Sequence, residues 1–196
     1  GHFWKTSGIH NGSGNAHDLA GKRYISSNGT WSDTKGPGNK LQASVIFDTP
    51  VYAAADGVVV GCWRQYPDWE GANQQPENAF RQTIIGNHLS ILTDDGYLVT
   101  YGHFKQNSIF PSLCPNSSAS GWLDALGPGE SHPRTGTMLT QYLVPENLRF
   151  RVSTGQVLGR VGNSGWSTSP HLHIQAQPVS ISGSGAITPG ALEPLQ

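Results

Sequence analysis

The chain of 196 residues has a formal net charge of −1, and only 13% of its residues are charged. This balance gives no electrostatic reason to expect a nucleic acid or an anionic membrane surface as a partner. No apolar run reaches the roughly 18 residues that a membrane span needs. With 25 glycines and 13 prolines, the composition favours one loop-rich β domain over a helical protein.

The predicted elements begin after a long polar start. Residues 1–42, rich in Gly, Ser and Asn, are expected to be irregular, with one short strand near the sequence HDLAG. Residues 45–63 then predict two short strands separated by turns, the second rich in β-branched residues. Residues 81–104 predict a hairpin, because two alternating apolar runs flank Asp94, Asp95 and Gly96. In that hairpin His88 is expected to face solvent.

The second half of the chain alternates between long loops and short strands. Residues 155–165 predict a strand and a turn, residues 170–179 predict the last clear strand, and residues 179–196 are expected to form an extended or mobile tail. At most one short helix is expected, near the sequence SGWLDAL. The prediction is an all-β single domain, an antiparallel sheet core at 43–178 with inserted loops. Loops at 22–44, 64–80 and 105–149 would wall a substrate groove.

Cys62 and Cys114 are the only cysteines. No CxxC pair is present, which argues against a thiolate zinc site. The two cysteines either form one disulfide that closes a long loop, which would favour an oxidising compartment, or remain as two buried thiols.

Two histidines separated by one residue stand in the sequence PHLHIQ. If the segment is extended, His171 and His173 point to the same side, and Leu172 points to the core. Two imidazoles that face one cleft can bind a metal, move protons, or do one of each. The alternative is a polar strand with two solvated histidines.

Further metal-ligating side chains lie near the start, in the sequence HNGSGNAHD. His17 and Asp18 are adjacent, so on an extended chain they face opposite sides. His10 and Asp18 are therefore the better pair, with the glycine-rich segment looping between them. A catalytic zinc keeps three protein ligands and leaves one position open for water. His10, Asp18 and His173 could supply the three ligands.

Three segments in series resemble the lysostaphin-type and beta-lytic zinc metallopeptidases, which cut peptide bonds in bacterial peptidoglycan. They are TPVYAAADGVVV at 49–60, GNHLSILTDDGYLVTYGHF at 86–104 and GQVLGRVGNSGWSTSPHLHIQ at 155–175. They are similar to the family's strand–turn–strand core, its central hairpin and its closing turn with a His-x-His strand.

The resemblance implies roles for five residues. His10, Asp18 and His173 would bind one Zn²⁺ per chain. His103 and His171 would be the catalytic histidines, one taking the proton of the attacking water and the other stabilising the oxyanion in its donor form. Which of the two is the base stays open.

Three positions depart from the family's usual pattern. Gly14 stands where the metal-binding histidine usually lies, four residues before the aspartate. His10 is assigned in its place because beta-lytic members bridge a longer gap with a Gly/Ser/Asn-rich loop. Ser169 and Asp48 replace usual glycines without removing a functional group.

Two aromatic residues are candidates for substrate binding. Tyr101 lies two residues before His103, so on an unbroken strand both share a face, where Tyr101 either positions substrate or only packs. Trp166 either walls the cleft or is an aromatic residue of a surface turn.

The expected function is zinc-dependent endopeptidase cleavage of peptidoglycan, in its cross-bridge or stem peptide. The resemblance also implies a bacteriolytic protein, secreted or located in the cell wall or periplasm, and a monomer. One alternative is a zinc amidase or carboxypeptidase that acts on the same substrate. The other is a non-catalytic module of the same fold, with a peptidoglycan-binding or regulatory role. Gly14 is the feature that favours the non-catalytic module.

Overall fold

The computed structural model describes residues 2–9, 16–37, 40–70, 85–116, 143–183 and 186–191. Within these ranges the regular structure is nearly all β, as the sequence predicted. The strands are β1 (His2–Ile9), β2 (Ala16–Ile25), β3 (Thr30–Ser32), β4 (Pro50–Tyr52), β5 (Gly57–Trp63), β6 (Asn87–Thr93), β7 (Tyr97–Phe104), β8 (Arg151–Val152), β9 (Val157–Arg160), β10 (Leu172–Ile181) and β11 (Ile187–Pro189). The helical pieces are α1 (Lys40–Ala43) and a single 3₁₀ turn at Glu146–Leu148.

Nine of the described strands form one antiparallel sheet. Its order is β1-β2-β10-β7-β6-β5-β8, with β11 beside β10 and β3 beside β2. Strands β4 and β9 form a second, two-stranded sheet. Because β10 lies between β2 and β7, the sheet brings the His-x-His segment between the strand of Asp18 and the strand of His103.

The central hairpin is the one predicted from the Asp94-Asp95-Gly96 turn. Gly96 has a φ of 90°, a conformation that glycine adopts without steric cost, and its N–H donates to the carbonyl of Thr93 at 3.1 Å. The apolar faces of β6 and β7 pack into the main core with β5, so alternation along the sequence correctly predicted this hairpin.

A disulfide joins Cys62 of β5 to Cys114, which confirms the paired alternative. Both sulfurs lie in the buried core cluster. The bond attaches the segment after β7 to the sheet, and two hydrogen bonds reinforce it. Asn116 donates to the carbonyl of Cys62 at 3.3 Å, and Arg64 donates to the carbonyl of Cys114 at 2.9 Å.

The segment expected to be irregular contains β1, β2, β3 and α1, which corrects the expectation for residues 1–42 and for the loop at 22–44. The physical reason is long-range pairing. Strand β2 is held between β1 and β10, with Leu19 opposite Leu172, so backbone hydrogen bonds to a distant partner order a sequence of weak strand propensity.

The tail is also more ordered than expected. Strand β10 runs on to Ile181, and β11 folds back to pair with it, Ile187 opposite Ile181. Three expectations lie wholly or partly outside the described residues: the helix near SGWLDAL, the loop at 64–80 from residue 71 onward, and the loop at 105–149 over residues 117–142. None of the described helical segments has the length and apolar character to cross a membrane.

Candidate active site

Strand register brings three of the predicted site residues to one place. On β10, His173 lies opposite Asp18 of β2 on one side and opposite Gly102 of β7 on the other. Opposite residues of antiparallel strands share a face of the sheet, so the carboxylate and the imidazole meet there. His103 follows Gly102 directly, and His171 stands just before β10.

Asp18 contacts both histidines of the His-x-His pair. Its Oδ1 lies 3.1 Å from Nδ1 of His173 and 3.4 Å from Nε2 of His171. The second contact is not a hydrogen bond, and Nε2 of His171 is buried without a hydrogen-bond partner. Oδ1 of Asp18 therefore lies close to one ring nitrogen of each histidine of the pair.

A β-bulge turns His103 into this cluster. Leu89 pairs with Tyr101 and Asn87 with Phe104, so one residue of β6, His88, opposes two of β7, Gly102 and His103. His103 takes a φ of 59°, which is unusual for a non-glycine residue and is enriched at functional sites. Its backbone is held by hydrogen bonds on both sides, from its N–H to Ile85 and to its carbonyl from Gly162.

The three imidazoles stand close together. The ring centroids of His103 and His171 are 4.5 Å apart, and those of His103 and His173 are 6.0 Å apart. Burial lowers the pKa of His103 well below its usual value, and the neighbouring His171 and His173 lower it further. His103 is therefore neutral at pH 7.

Backbone carbonyls set the tautomers of the two histidines expected to be catalytic. Nδ1 of His103 lies 2.7 Å from the carbonyl of Ser164, and Nδ1 of His171 lies 2.8 Å from the carbonyl of Ser169. A carbonyl only accepts, so each ring donates from Nδ1. In each neutral ring Nε2 then carries a lone pair that can accept a proton.

His173 is oriented the opposite way. Its Nε2 lies 3.0 Å from Oε1 of Gln175, an amide oxygen that only accepts. Nε2 therefore carries the proton, and the lone pair of neutral His173 is at Nδ1, facing Asp18. Two atoms that both carry lone pairs repel each other at 3.1 Å unless a cation, either a proton or a metal ion, lies between them.

Asp18 and His173 suit a zinc ion. Two tetrahedral ligands with Zn–N and Zn–O distances near 2.0–2.1 Å are about 3.3 Å apart. The separation of 3.1 Å between Oδ1 of Asp18 and Nδ1 of His173 is close to that value. Among the described residues no group of three or more ligands could hold a metal. The third predicted ligand, His10, lies outside the described residues.

The two predicted substrate-binding aromatics are in different environments. Tyr101 is buried in the core, and its hydroxyl accepts a hydrogen bond from the backbone N–H of Ala54 at 2.9 Å. The bulge separates it from the face of His103. Trp166 is 51% exposed, on the turn between Ser164 and the His-x-His strand.

Sequence reasoning missed two contributors to the cluster. Gln175 stands two residues after His173, so strand alternation could have placed it on the same face. Ser164 acts through its backbone carbonyl, and its side chain bridges Asn87 and Phe104. No side-chain pattern in a sequence signals a backbone acceptor.

Comparisons with known proteins find matches only among solved structures. No protein-family model matches the chain, and no curated protein matches it. The catalytic domain of the prophage-encoded M23 protein EnpA from Enterococcus faecalis is 18% identical, with a TM-score of 0.37, and covers 96% of this chain and 82% of that one. The catalytic domain of the antimicrobial peptidase lysostaphin from Staphylococcus simulans is 20% identical, with a TM-score of 0.33 and coverages of 81% and 86%.

These structural neighbours are lysostaphin and M23 peptidases. A zinc-containing peptidase from Vibrio cholerae is also similar, at 16% identity and a TM-score of 0.34. The chain covers 46% of that protein and 48% of lysostaphin in its solution structure.

Proposed function

We propose that the protein is a zinc-dependent endopeptidase that cleaves peptide bonds in bacterial peptidoglycan. The observation that carries the proposal is the pair of contacts made by Oδ1 of Asp18, 3.1 Å from Nδ1 of His173 and 3.4 Å from Nε2 of His171, with the ring of His103 beside that of His171. Three sequence motifs that resemble peptidoglycan metallopeptidases supply the substrate class.

Asp18 and His173 would hold Zn²⁺, with His10 as the third ligand. The bound ion would supply Lewis acidity, polarising the scissile carbonyl and lowering the pKa of a water molecule.

His171 is the residue best suited to move the proton. Its Nδ1–H is engaged by the carbonyl of Ser169, so its buried Nε2 can take a proton from the attacking water and return it to the leaving amine. His103 also presents a lone pair at Nε2. A donor role for His103 would need a second proton on the ring, which its burial opposes.

The substrate class also implies where the protein acts. Peptidoglycan lies outside the bacterial cytoplasmic membrane, so secretion or a periplasmic location follows from the proposal. The Cys62–Cys114 disulfide supports an oxidising compartment. A monomer remains a prediction.

The test is the release of free amino groups from purified peptidoglycan, with and without a zinc chelator. Release that stops with chelator and returns with Zn²⁺ is expected. Mass spectrometry of the fragments separates an endopeptidase from an amidase or carboxypeptidase. If zinc-loaded protein releases nothing from walls of several cross-bridge types, the non-catalytic binding module is supported instead.

Two variants test the division of roles in the site. His171→Ala is expected to keep zinc while turnover falls at least about 100-fold, the usual loss for a general base. His173→Ala is expected to lose the metal, measured as zinc per chain after dialysis. Full turnover by His171→Ala would contradict its role as the base.

A further inference from the structure

Three side chains on one face of β10 form a hydrogen-bonded series, here called the relay, that begins at the proposed zinc ligand. His173, Gln175 and Gln177 are spaced two residues apart, so they share a face of the strand. Nε2 of His173 lies 3.0 Å from Oε1 of Gln175. Nε2 of Gln175 lies 3.3 Å from Oε1 of Gln177, and Nε2 of Gln177 lies 2.9 Å from the carbonyl of Gly190.

The carbonyl of Gly190 gives the relay a direction. A carbonyl only accepts, so the amide nitrogen of Gln177 must face it, and Oε1 of Gln177 must face Gln175. The amide nitrogen of Gln175 then donates to Gln177, which turns Oε1 of Gln175 toward His173. The proton of neutral His173 is thereby required at Nε2.

The last strand holds the Gly190 carbonyl in place. Strand β11 pairs with β10, Pro189 opposite Val179, and the N–H of Gly190 donates to the carbonyl of Pro178 at 2.7 Å. Both glutamines are only partly buried, and the relay runs from the buried His173 toward the surface. The C-terminal strand is thus connected to the active site by fixed polar contacts.

We propose that Gln175 and Gln177 are positioning residues that hold His173 in the tautomer protonated at Nε2, so that its Nδ1 lone pair can bind zinc. A neutral imidazole has a single N–H. If that proton were on Nδ1, it would donate to Asp18 and occupy the position that the metal needs. The proposal rests on the zinc function proposed above.

Zinc affinity, measured by competition with a chromophoric chelator, tests the relay. Gln175→Leu removes the acceptor at similar size, and the affinity is expected to fall about 10–100-fold, the usual cost of losing a hydrogen bond to a metal ligand. Gln175→Glu keeps an acceptor for Nε2 and is expected to stay closer to wild type than the leucine variant. Gln177→Leu is expected to lie between wild type and Gln175→Leu, because Gln175 then loses the partner that orients it.

A matched control separates this effect from general damage to the fold. Gln156→Leu removes an amide whose oxygen accepts from the N–H of Ser153, in the turn before β9. It is expected to leave zinc affinity unchanged. Wild-type affinity in Gln175→Leu, or an equal loss in Gln156→Leu, would overturn the relay.

Nitrogen NMR of the metal-free protein at pH 8 reports the tautomer of His173 without any zinc. Protonation at Nε2 is expected in the wild type. A proton on Nδ1 would overturn the relay, whatever the metal affinity. A protein that shows the Nε2 tautomer yet binds no zinc would instead overturn the proposed function and leave the relay standing.

Discussion

His88 is a buried histidine of β6, and the expectation that it faces solvent was wrong. It is 3% exposed, and its Nδ1 lies 2.8 Å from the carbonyl of Gly86. Burial lowers its pKa to about 4, opposed only in part by the hydrogen bond to Gly86. The folded protein thus keeps this ring neutral at a pH where a solvated histidine is charged.

The free energy of unfolding should therefore fall on the acid side. Above pH 6.5 the ring is neutral in both states. Between pH 6.5 and 4 the unfolded chain takes up a proton that the folded protein excludes, so His88 removes stability as the pH falls. The total loss of unfolding free energy is about 3 kcal/mol, since each unit by which the pKa differs between the two states is worth 1.36 kcal/mol. Urea unfolding at pH 7, 5.5 and 4.5 measures it.

Comparison with His88→Gln isolates this residue from other titrating groups. The variant removes the titration while keeping an amide donor for the carbonyl of Gly86. Its unfolding free energy should depend less steeply on pH than that of the wild type between pH 6.5 and 4. Parallel curves for the two proteins would show that His88 does not titrate differently on folding.

The sequence predicted the side chains of the candidate site better than the groups that orient them. Asp18, His103, His171 and His173 were predicted from motif and resemblance. Strand pairing brings the first, second and fourth of them together, and His171 stands just before β10. Gln175 was missed because a glutamine after the motif has no distinctive chemistry until its amide is oriented. That orientation comes, through Gln177, from the carbonyl of Gly190, the residue that follows β11.

The bulge in β7 decides which residues the central hairpin presents to the site. Regular alternation predicts that Tyr101 and His103 share a face. The extra residue after Tyr101 breaks this alternation, so Tyr101 joins the core while His103 faces the other histidines. Alternation could not reveal the bulge, because the backbone groups that hydrogen-bond to His103 there belong to Ile85 and Gly162, on other segments of the chain.

Gly86 is the position at which this arrangement is most sensitive to substitution. Its φ is 64°, and a Cβ there would overlap the backbone and the hydroxyl of Ser164. Gly86→Ala should therefore displace the carbonyl that orients His103. We expect a loss of about 2–4 kcal/mol in unfolding free energy, from left-handed backbone strain together with overpacking, measured by urea unfolding.

Gly29 provides the matched control. Its φ is 67°, nearly that of Gly86, but a Cβ there would meet only the hydroxyl of Tyr24, at an ordinary 3.6 Å. Gly29→Ala should show the backbone strain alone, roughly 1–2 kcal/mol. Equal losses in the two variants would mean that contact with Ser164 contributes nothing.

The whole sheet was predictable in class but not in strand order. Local patterns predicted an antiparallel β protein and its central hairpin, because turn and alternation signals lie within a few residues of each other. They did not predict that β2 pairs with β10, since that contact joins Asp18 to His173 across most of the chain. The candidate active site depends on this non-local pairing, which explains why motif resemblance was needed to relate its parts.

The Cys62–Cys114 disulfide should be the largest single covalent contribution to the stability of this fold. It closes a separation of 52 residues, for which the loss of chain entropy in the unfolded state corresponds to about 4 kcal/mol. The hydrogen bonds of Asn116 and Arg64 hold the same segments together when the bond is absent. Cys62→Ala/Cys114→Ala should therefore still fold and bind zinc.

The expected loss in the double variant is about 2–4 kcal/mol of unfolding free energy in urea. Wild type unfolded in the presence of a reductant should lose a similar amount, because the constraint acts on the unfolded chain. Reductant should leave the double variant unchanged, which controls for effects on anything other than the disulfide. Equal stability of oxidised wild type and double variant would mean that packing around β5 alone holds the segment that follows β7.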